Sequence, residues 1–216
     1  MKILKPQKIF LENLTKIENI IEELKDDENI ENRIIKDSCT EGFELYNAKI
    51  EKTILKNVEI LNGKIIKNTF TDVIFEKCNF SNTNFENSSF IRCEFKDCKL
   101  SGCNFTESRL YNVSIVNTNA AYINLSLSSM ENVLFSETLL RNSYFQENKL
   151  KNVYFERADL TQAQFNRTSL KDIDLSSSTI EAIAISTQDI KGAIIDIYQA
   201  ADLLYLLGIK IKNDNL

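Results

Sequence analysis

The chain has 216 residues, a net charge of −5 and 43% hydrophobic residues, enough for one large domain or one repeat array. No apolar run is long enough to form a membrane-spanning helix, and the absence of His excludes Ser-His or Cys-His catalysis. The five cysteines, an odd number, fit a reduced, cytoplasmic setting better than a disulfide framework.

Residues 1–6 lack an extended apolar core and a small-residue cleavage site, so no secretion signal is expected. Residues 1–27 read as a capping helix. Pro6 suits a first helical turn, and Phe10, Leu14, Ile17, Ile21 and Leu24 fall on one helical face. Glu12, Glu18, Glu22 and Glu23 lie on the other faces. The run Asp26-Asp27-Glu28 disfavours a helix C-terminus, which places the end near Leu24 or Lys25. Such a helix caps the array or binds a partner. Residues 28–42 read as a junction or irregular first coil: Ile30 and Ile35 keep the register that follows, but Glu28 and Arg33 break its small-residue series.

Residues 43–195 are organised by a five-residue period. From Leu45 to Ile195, 30 of the 31 positions divisible by five are Leu, Ile, Phe or Met, and only Ala120 departs. Two residues before each lies a small series, including Cys78, Thr83, Ser88, Cys93, Cys98, Cys103 and Ser108. A period of five fits neither a helix nor a strand. It fits a chain that turns a corner every five residues, four sides making a coil of about 20 residues. Stacking at ~4.8 Å per coil gives nearly eight coils and a rod ~37 Å long. Residues 20 apart then stack, which predicts Phe70 on Phe90, Phe75 on Phe95, Phe85 on Phe105, Phe135 on Phe155 and Phe145 on Phe165. With one Pro and five Gly, the turns must use Asn, Asp, Ser and Lys.

Residues 196–216 differ. Asp196-Ile197-Tyr198-Gln199 reads as a capping box opening a helix from Ile197 to Leu207, with Gly208 to stop it and Ile209–Lys212 alternating like a short strand. Ala200, Ala201 and Leu204 can cover the last coil. Tyr198, Tyr205 and Leu206 then face outward and, with Ile209 and Ile211, form a candidate homodimer interface or a cap with a few exposed apolar residues.

Catalytic chemistry is not expected. Cys78 and Cys98 stack within disulfide range, but the buried cysteines read as small hydrophobes. No Cys-x-x-Cys pair is present for zinc, and carboxylate pairs such as Asp172/Asp174 have no pocket. No cofactor or metal is expected. Function therefore falls to the outward surface. One side of the array, carrying Lys49, Lys52, Arg92, Arg109, Lys149 and Lys151, sums to +3; another, carrying Glu94, Asp97, Glu137, Glu156 and Asp174, sums to −3. Leu134 and Tyr154 share the acidic side, so Glu94, Asp97, Leu134, Glu137, Tyr154, Glu156 and Asp174 form a candidate partner face or an ordinary surface. The array as a whole is near neutral, with 17 basic and 18 acidic residues over 43–195, and carries no basic stripe for direct nucleic-acid binding.

The units Cys78-Asn79-Phe80-Ser81-Asn82, Thr83-Asn84-Phe85-Glu86-Asn87 and Ala158-Asp159-Leu160-Thr161-Gln162 resemble the small-x-(Leu/Phe)-x-x repeat of the pentapeptide repeat family. The resemblance implies an all-β solenoid, a right-handed quadrilateral β-helix. Within that family the uninterrupted array, and the ending Gly192-Ala193 through Tyr198-Gln199 and Leu203 to Ile209, are similar to the quinolone-resistance (Qnr-type) proteins and their loop-free mycobacterial relatives. That likeness implies a rod-like homodimer that imitates duplex DNA and engages DNA gyrase or topoisomerase IV. The alternative is a general protein-interaction scaffold with another partner.

Overall fold

The computed structural model describes residues 3–7, 14–17 and 29–209, apart from the side chains of Ile17 and Asp202. From Asn29 onward the chain winds as a four-sided parallel solenoid. The geometry follows from the corners. From Asn32 to Asp172 every fifth residue sits near φ +45° to +68°, so Asp72 (56°), Lys77 (54°), Asn82 (59°) and Asn87 (57°) make the four bends of one coil. Among the described residues Asn holds 11 of the 28 non-glycine left-handed corners and Asp four, because their short polar side chains tolerate this region. Lys takes three, at Lys52, Lys67 and Lys77, as expected; Ser takes none. The serines lie mainly in the small series and beside outward Asn and Asp residues, as in the Ser81 N–H to Asn79 Oδ1 bond of 3.2 Å.

Between corners the large residue points inward and its two neighbours outward. Ile30, Ile50, Phe70, Phe90, Leu110, Met130 and Leu150 pair in parallel register along the first face. Ile35, Leu55, Phe75, Phe95, Ile115, Phe135 and Phe155 do so along the second. From Arg109 the two faces merge into the eight-residue strands Arg109–Val116, Ser129–Ser136 and Lys149–Glu156. The third and fourth faces are joined largely by single bridges such as Asn79↔Lys99 and Asn84↔Asn104. The five expected Phe ladders are present. Their centroids lie 4.3–5.3 Å apart, with Phe75–Phe95 tightest at 4.3 Å and 6° between planes. Ala120 and Ile123 are both fully buried.

Three expectations change. First, residues 29–42 are a regular coil and no junction: Asn29–Glu31, Arg33–Lys36 and Cys39–Glu41 pair with the coil above. Second, the continuous strand ladder spans about six turns, Ile30 to Leu150, and not nearly eight. The corners change at the same point. On the first two faces the strands run through their corners without a turn-closing bond up to Glu156. At the next coil Ile173 N–H bonds to Leu170 O (3.0 Å) and Ser178 N–H to Leu175 O (2.9 Å), the closure that the third and fourth faces already use, and no ladder bond joins this coil to the strand Lys149–Glu156. Third, Thr15–Ile17, expected in a helix, is a strand paired in parallel with Arg33–Ile35. The open edge of the first coil offers unpaired N–H and C=O groups, and the β-branched Thr15 and Ile17 satisfy them better as a strand. Residues 3–7 are likewise not helical. They lie along the corner between the first two faces, with Leu4 N–H on Asn112 Oδ1 (3.3 Å) and Gln7 N–H on Asp72 Oδ1 (2.9 Å). The other positions of the expected helix, Phe10, Ile21 and Leu24 among them, lie outside the described residues.

Candidate functional site

The interior is occupied by packing. Cys78, Cys93, Cys98 and Cys103 are buried and free, and their thiols do more than fill space. Each donates to the carbonyl 23 residues earlier: Cys93 Sγ to Phe70 O at 3.4 Å, Cys103 Sγ to Phe80 O at 2.8 Å. Thr83, Ser88, Ser108 and Ser128 hydroxyls make the same bond. The small series is thus a column of small donors, which is why Ser, Thr and Cys alternate there. Burial pushes the Cys93 thiol up to about 12 and Cys103 higher still. The adjacent Cys98 thiol, with burial, pushes Cys78 in the same direction. No cluster of three metal-ligating side chains exists among the described residues.

The structure brings the candidate partner face together on the second side of the rod. Outward residues Ile54, Ile74, Glu94, Ser114, Leu134 and Tyr154 stand one above the other in strand register. Glu94, Leu134, Tyr154 and Glu156 are half-buried by their neighbours. Asp97 and Glu137 sit at the adjoining left-handed corners (φ 57° and 51°). Asp97 accepts the Asn117 amide at 2.6 Å, and Glu137 is held by Arg157 at 2.6 Å. Asp174 stands apart, one coil beyond Tyr154 and outside the ladder; the Ser176 hydroxyl and N–H hold its carboxyl below the usual range.

Coil-to-coil ion pairing runs along the rod: Lys52–Glu31, Lys56–Glu76, Lys64–Glu44, Arg92–Asp72, Lys151–Glu131, Arg157–Glu137 and Arg167–Glu147, all within 2.6–2.8 Å. Exposed pairs add little stability, but they cancel charge locally and break up any continuous acidic stripe.

The C-terminal end is a helix Gln199–Leu203 tightening into a 3₁₀ turn Leu204–Leu207, stopped by Gly208 at φ 68°. The capping box forms in part: Asp196 N–H donates to Gln199 Oε1 (2.7 Å), and Asp196 Oδ1 accepts the Tyr198 N–H (2.9 Å). Tyr198 is 86% exposed, alongside Ile194, Ile197, Leu207 and Ile209. Leu206 packs with Leu203 on the core and does not face outward. The 3₁₀ turn advances each residue further round the axis, which swings Leu206 in; Ala201, in the helix before it, is exposed. Tyr205 is half exposed while its hydroxyl donates to Ile183 O. Ile211 lies outside the described residues.

Two functional details escaped sequence reading. Gln199 is buried and donates to Leu175 O and Ser178 O, pinning the helix to the rod. Asp72 and Arg92 form a bidentate pair (2.7 Å twice) beneath residues 3–7. Both are ordinary corner or helix residues in the sequence; only the fold shows what they meet.

A family model described as a pentapeptide repeat region matches residues 68–139 and 88–165. No curated protein sequence matches the chain. Among solved structures, a trypsin-treated variant of QnrB1, a plasmid-mediated fluoroquinolone resistance protein, is similar at 22% identity and TM-score 0.45, covering 91% of this chain and 95% of that one. Full-length QnrB1 is similar at 19% identity and TM-score 0.39, covering 82% and 100%. HetL, a pentapeptide repeat protein involved in heterocyst differentiation regulation from the cyanobacterium Nostoc, is similar at 13% and 0.24, covering 77% and 89%.

Proposed function

We propose that this pentapeptide repeat protein is a non-enzymatic scaffold, acting in the cytoplasm, that binds a partner protein along the second side of its rod. The observation that carries this reading is the outward column Ile74, Glu94, Ser114, Leu134 and Tyr154, held in register by the ladder beneath it. The backbone beneath these side chains is already fixed, so binding requires no ordering of the chain, which favours association. The finer reading, a mimic of duplex DNA acting on a type II topoisomerase, rests on the sequence resemblance. It calls for a strong negative potential, and the coil-to-coil ion pairs favour the general scaffold instead.

A supercoiling assay with purified gyrase, with and without a fluoroquinolone, separates the two. The scaffold reading expects neither inhibition nor protection at large molar excess; either effect would restore the topoisomerase reading. Affinity purification on the wild type and on Leu134→Arg tests the strip. A partner retained equally by both would place binding elsewhere.

A second copy is proposed at the C-terminal end, where Ile197 (77% exposed), Tyr198 and Leu207 (67%) crowd one terminus. Light scattering showing a monomer at micromolar concentration would remove it.

A further inference from the structure

At the coil of Leu170 and Ile173 the solenoid is closed on two sides and open on the other two. On the third and fourth faces the coils remain joined, by Leu160 N–H to Thr179 O (2.8 Å) and Phe165 N–H to Ala184 O (2.8 Å). At the adjoining corners Asn148 N–H meets Thr168 Oγ1 (2.9 Å) and Ala158 N–H meets Ser178 Oγ (3.1 Å). Between those corners no backbone hydrogen bond links the strand Lys149–Glu156 to residues 169–176. The bonds the repeat would place from Leu150 and Asn152 N–H to the next coil are missing. Residues 170–175 keep the ordinary onward bonds to the following coil, Leu170 N–H to Asp189 O and Leu175 N–H to Ile194 O. Between them lies a cleft of roughly 280 Å3, lined by Leu150, Val153, Tyr154 and Ile173 together with the polar Asn152, Lys171, Asp172 and Asp174.

We propose that this cleft receives an extended segment of a partner protein, added as a further parallel strand on the edge Lys149–Glu156. The edge presents unpaired main-chain donors over an apolar floor, the arrangement that strand addition uses. Its charge sets direction. Lys149 and Lys171 are exposed at the first-face end, without an ion-pair partner among the described residues, while Lys151 is held by Glu131. Glu156 and Asp174 lie at the second-face end. A parallel segment, matching every other neighbour in the sheet, therefore carries an acidic residue first and a basic residue last. This rests on the scaffold reading and narrows it to one site.

The test uses the full-length protein and two capped peptides, Glu-Val-Thr-Val-Thr-Lys and Lys-Val-Thr-Val-Thr-Glu, with amide hydrogen exchange read by NMR. In the free protein the Leu150 and Asn152 amides should exchange at least tenfold faster than those of Met130 and Asn132. The first peptide should slow them at least tenfold, and the second at least fivefold less. The double variant Lys149→Glu/Lys171→Glu, its fold checked by melting, should reverse that preference; if it does not fold, the two peptides on the wild type decide. Equal exchange in the free protein, no protection, or equal protection by both peptides overturns the proposal. Protection that grows with protein concentration alone assigns the cleft to a second copy and overturns it too. Failure here leaves the Leu134 strip, tested separately, untouched.

Discussion

The rings of Phe75 and Phe95 stack at 4.3 Å between centroids and only 6° from parallel, and both are 1% exposed. Each is also met edge-on by a neighbouring Phe of the core: Phe80 against Phe75, Phe105 against Phe95. Phe95→Ala should therefore cost ~3–5 kcal/mol of stability, since the cavity cannot collapse within a rigid ladder. Phe95→Leu should cost less, about 1.5 kcal/mol. Thermal or denaturant melting checks both; equal losses would show that the ring contacts, and not the lost volume, set the cost.

Asp72 anchors the corner under residues 3–7. Burial acts to raise its carboxyl, but the Arg92 guanidinium and the Gln7 N–H hold it net below the usual aspartate value. A depressed folded pKa contributes stability that is present above the unfolded value of about 3.9 and is lost as pH falls through the lower folded value. Asp72→Asn should cost ~2 kcal/mol near neutral pH. It should also flatten the fall in stability that the wild type shows below about pH 4. Parallel acid titrations of the melting transition provide the comparison, and identical acid limbs would refute the assignment.

Leu127 occupies a left-handed corner at φ 61° while 49% exposed, so it bears backbone strain without much burial in return. Asn is the commonest residue at equivalent corners. Leu127→Asn should raise stability by ~1 kcal/mol. A lower melting temperature would mean that the Leu127 side chain makes a contact worth more than the strain.

The thiols divide sharply. Cys39 is exposed, and the other four are buried donors to backbone carbonyls. An aromatic disulfide reagent should titrate one thiol per folded chain rapidly and the remaining four only on unfolding. Fast reaction of a second thiol would show that the ladder breathes around the Cys78–Cys98 column.

Gln199→Leu removes the donors to Leu175 O and Ser178 O. Ser178 O then lacks a partner and Leu175 O keeps only the Ser178 N–H, at a cost of ~1–3 kcal/mol. Because the loss is local, amide exchange across Ala200–Leu203 should rise before the rod itself melts; unchanged exchange there would show that Leu203 and Leu206 suffice to seat the helix.

These residues mark how far reading the chain reaches. The Phe ladders and the inward column were legible because inward or outward direction depends only on position within a five-residue period that never slips. The acidic–apolar strip was legible for the same reason, since residues 20 apart must share a side. Leu206 was misplaced because a helical period was assumed where the last turn tightens. Thr15–Ile17 was misread because pairing with the open edge at Arg33–Ile35 overrides the helical spacing, and that edge is not visible from the local pattern.

The sequence alone therefore determined the architecture: a regular period, a small-residue column and Asn- and Asp-rich corners leave one way to wind the chain, each being a local constraint repeated coil after coil. Tertiary structure decided what depends on partners distant in the chain. It placed Asp72 under Gln7, seated Gln199 on Leu175 and Ser178, and opened the ladder between Lys149–Glu156 and the coil above. That opening falls where Ile173 gives its N–H to Leu170 within its own corner, a choice of turn that no repeat position specifies and that only the stacked coils reveal.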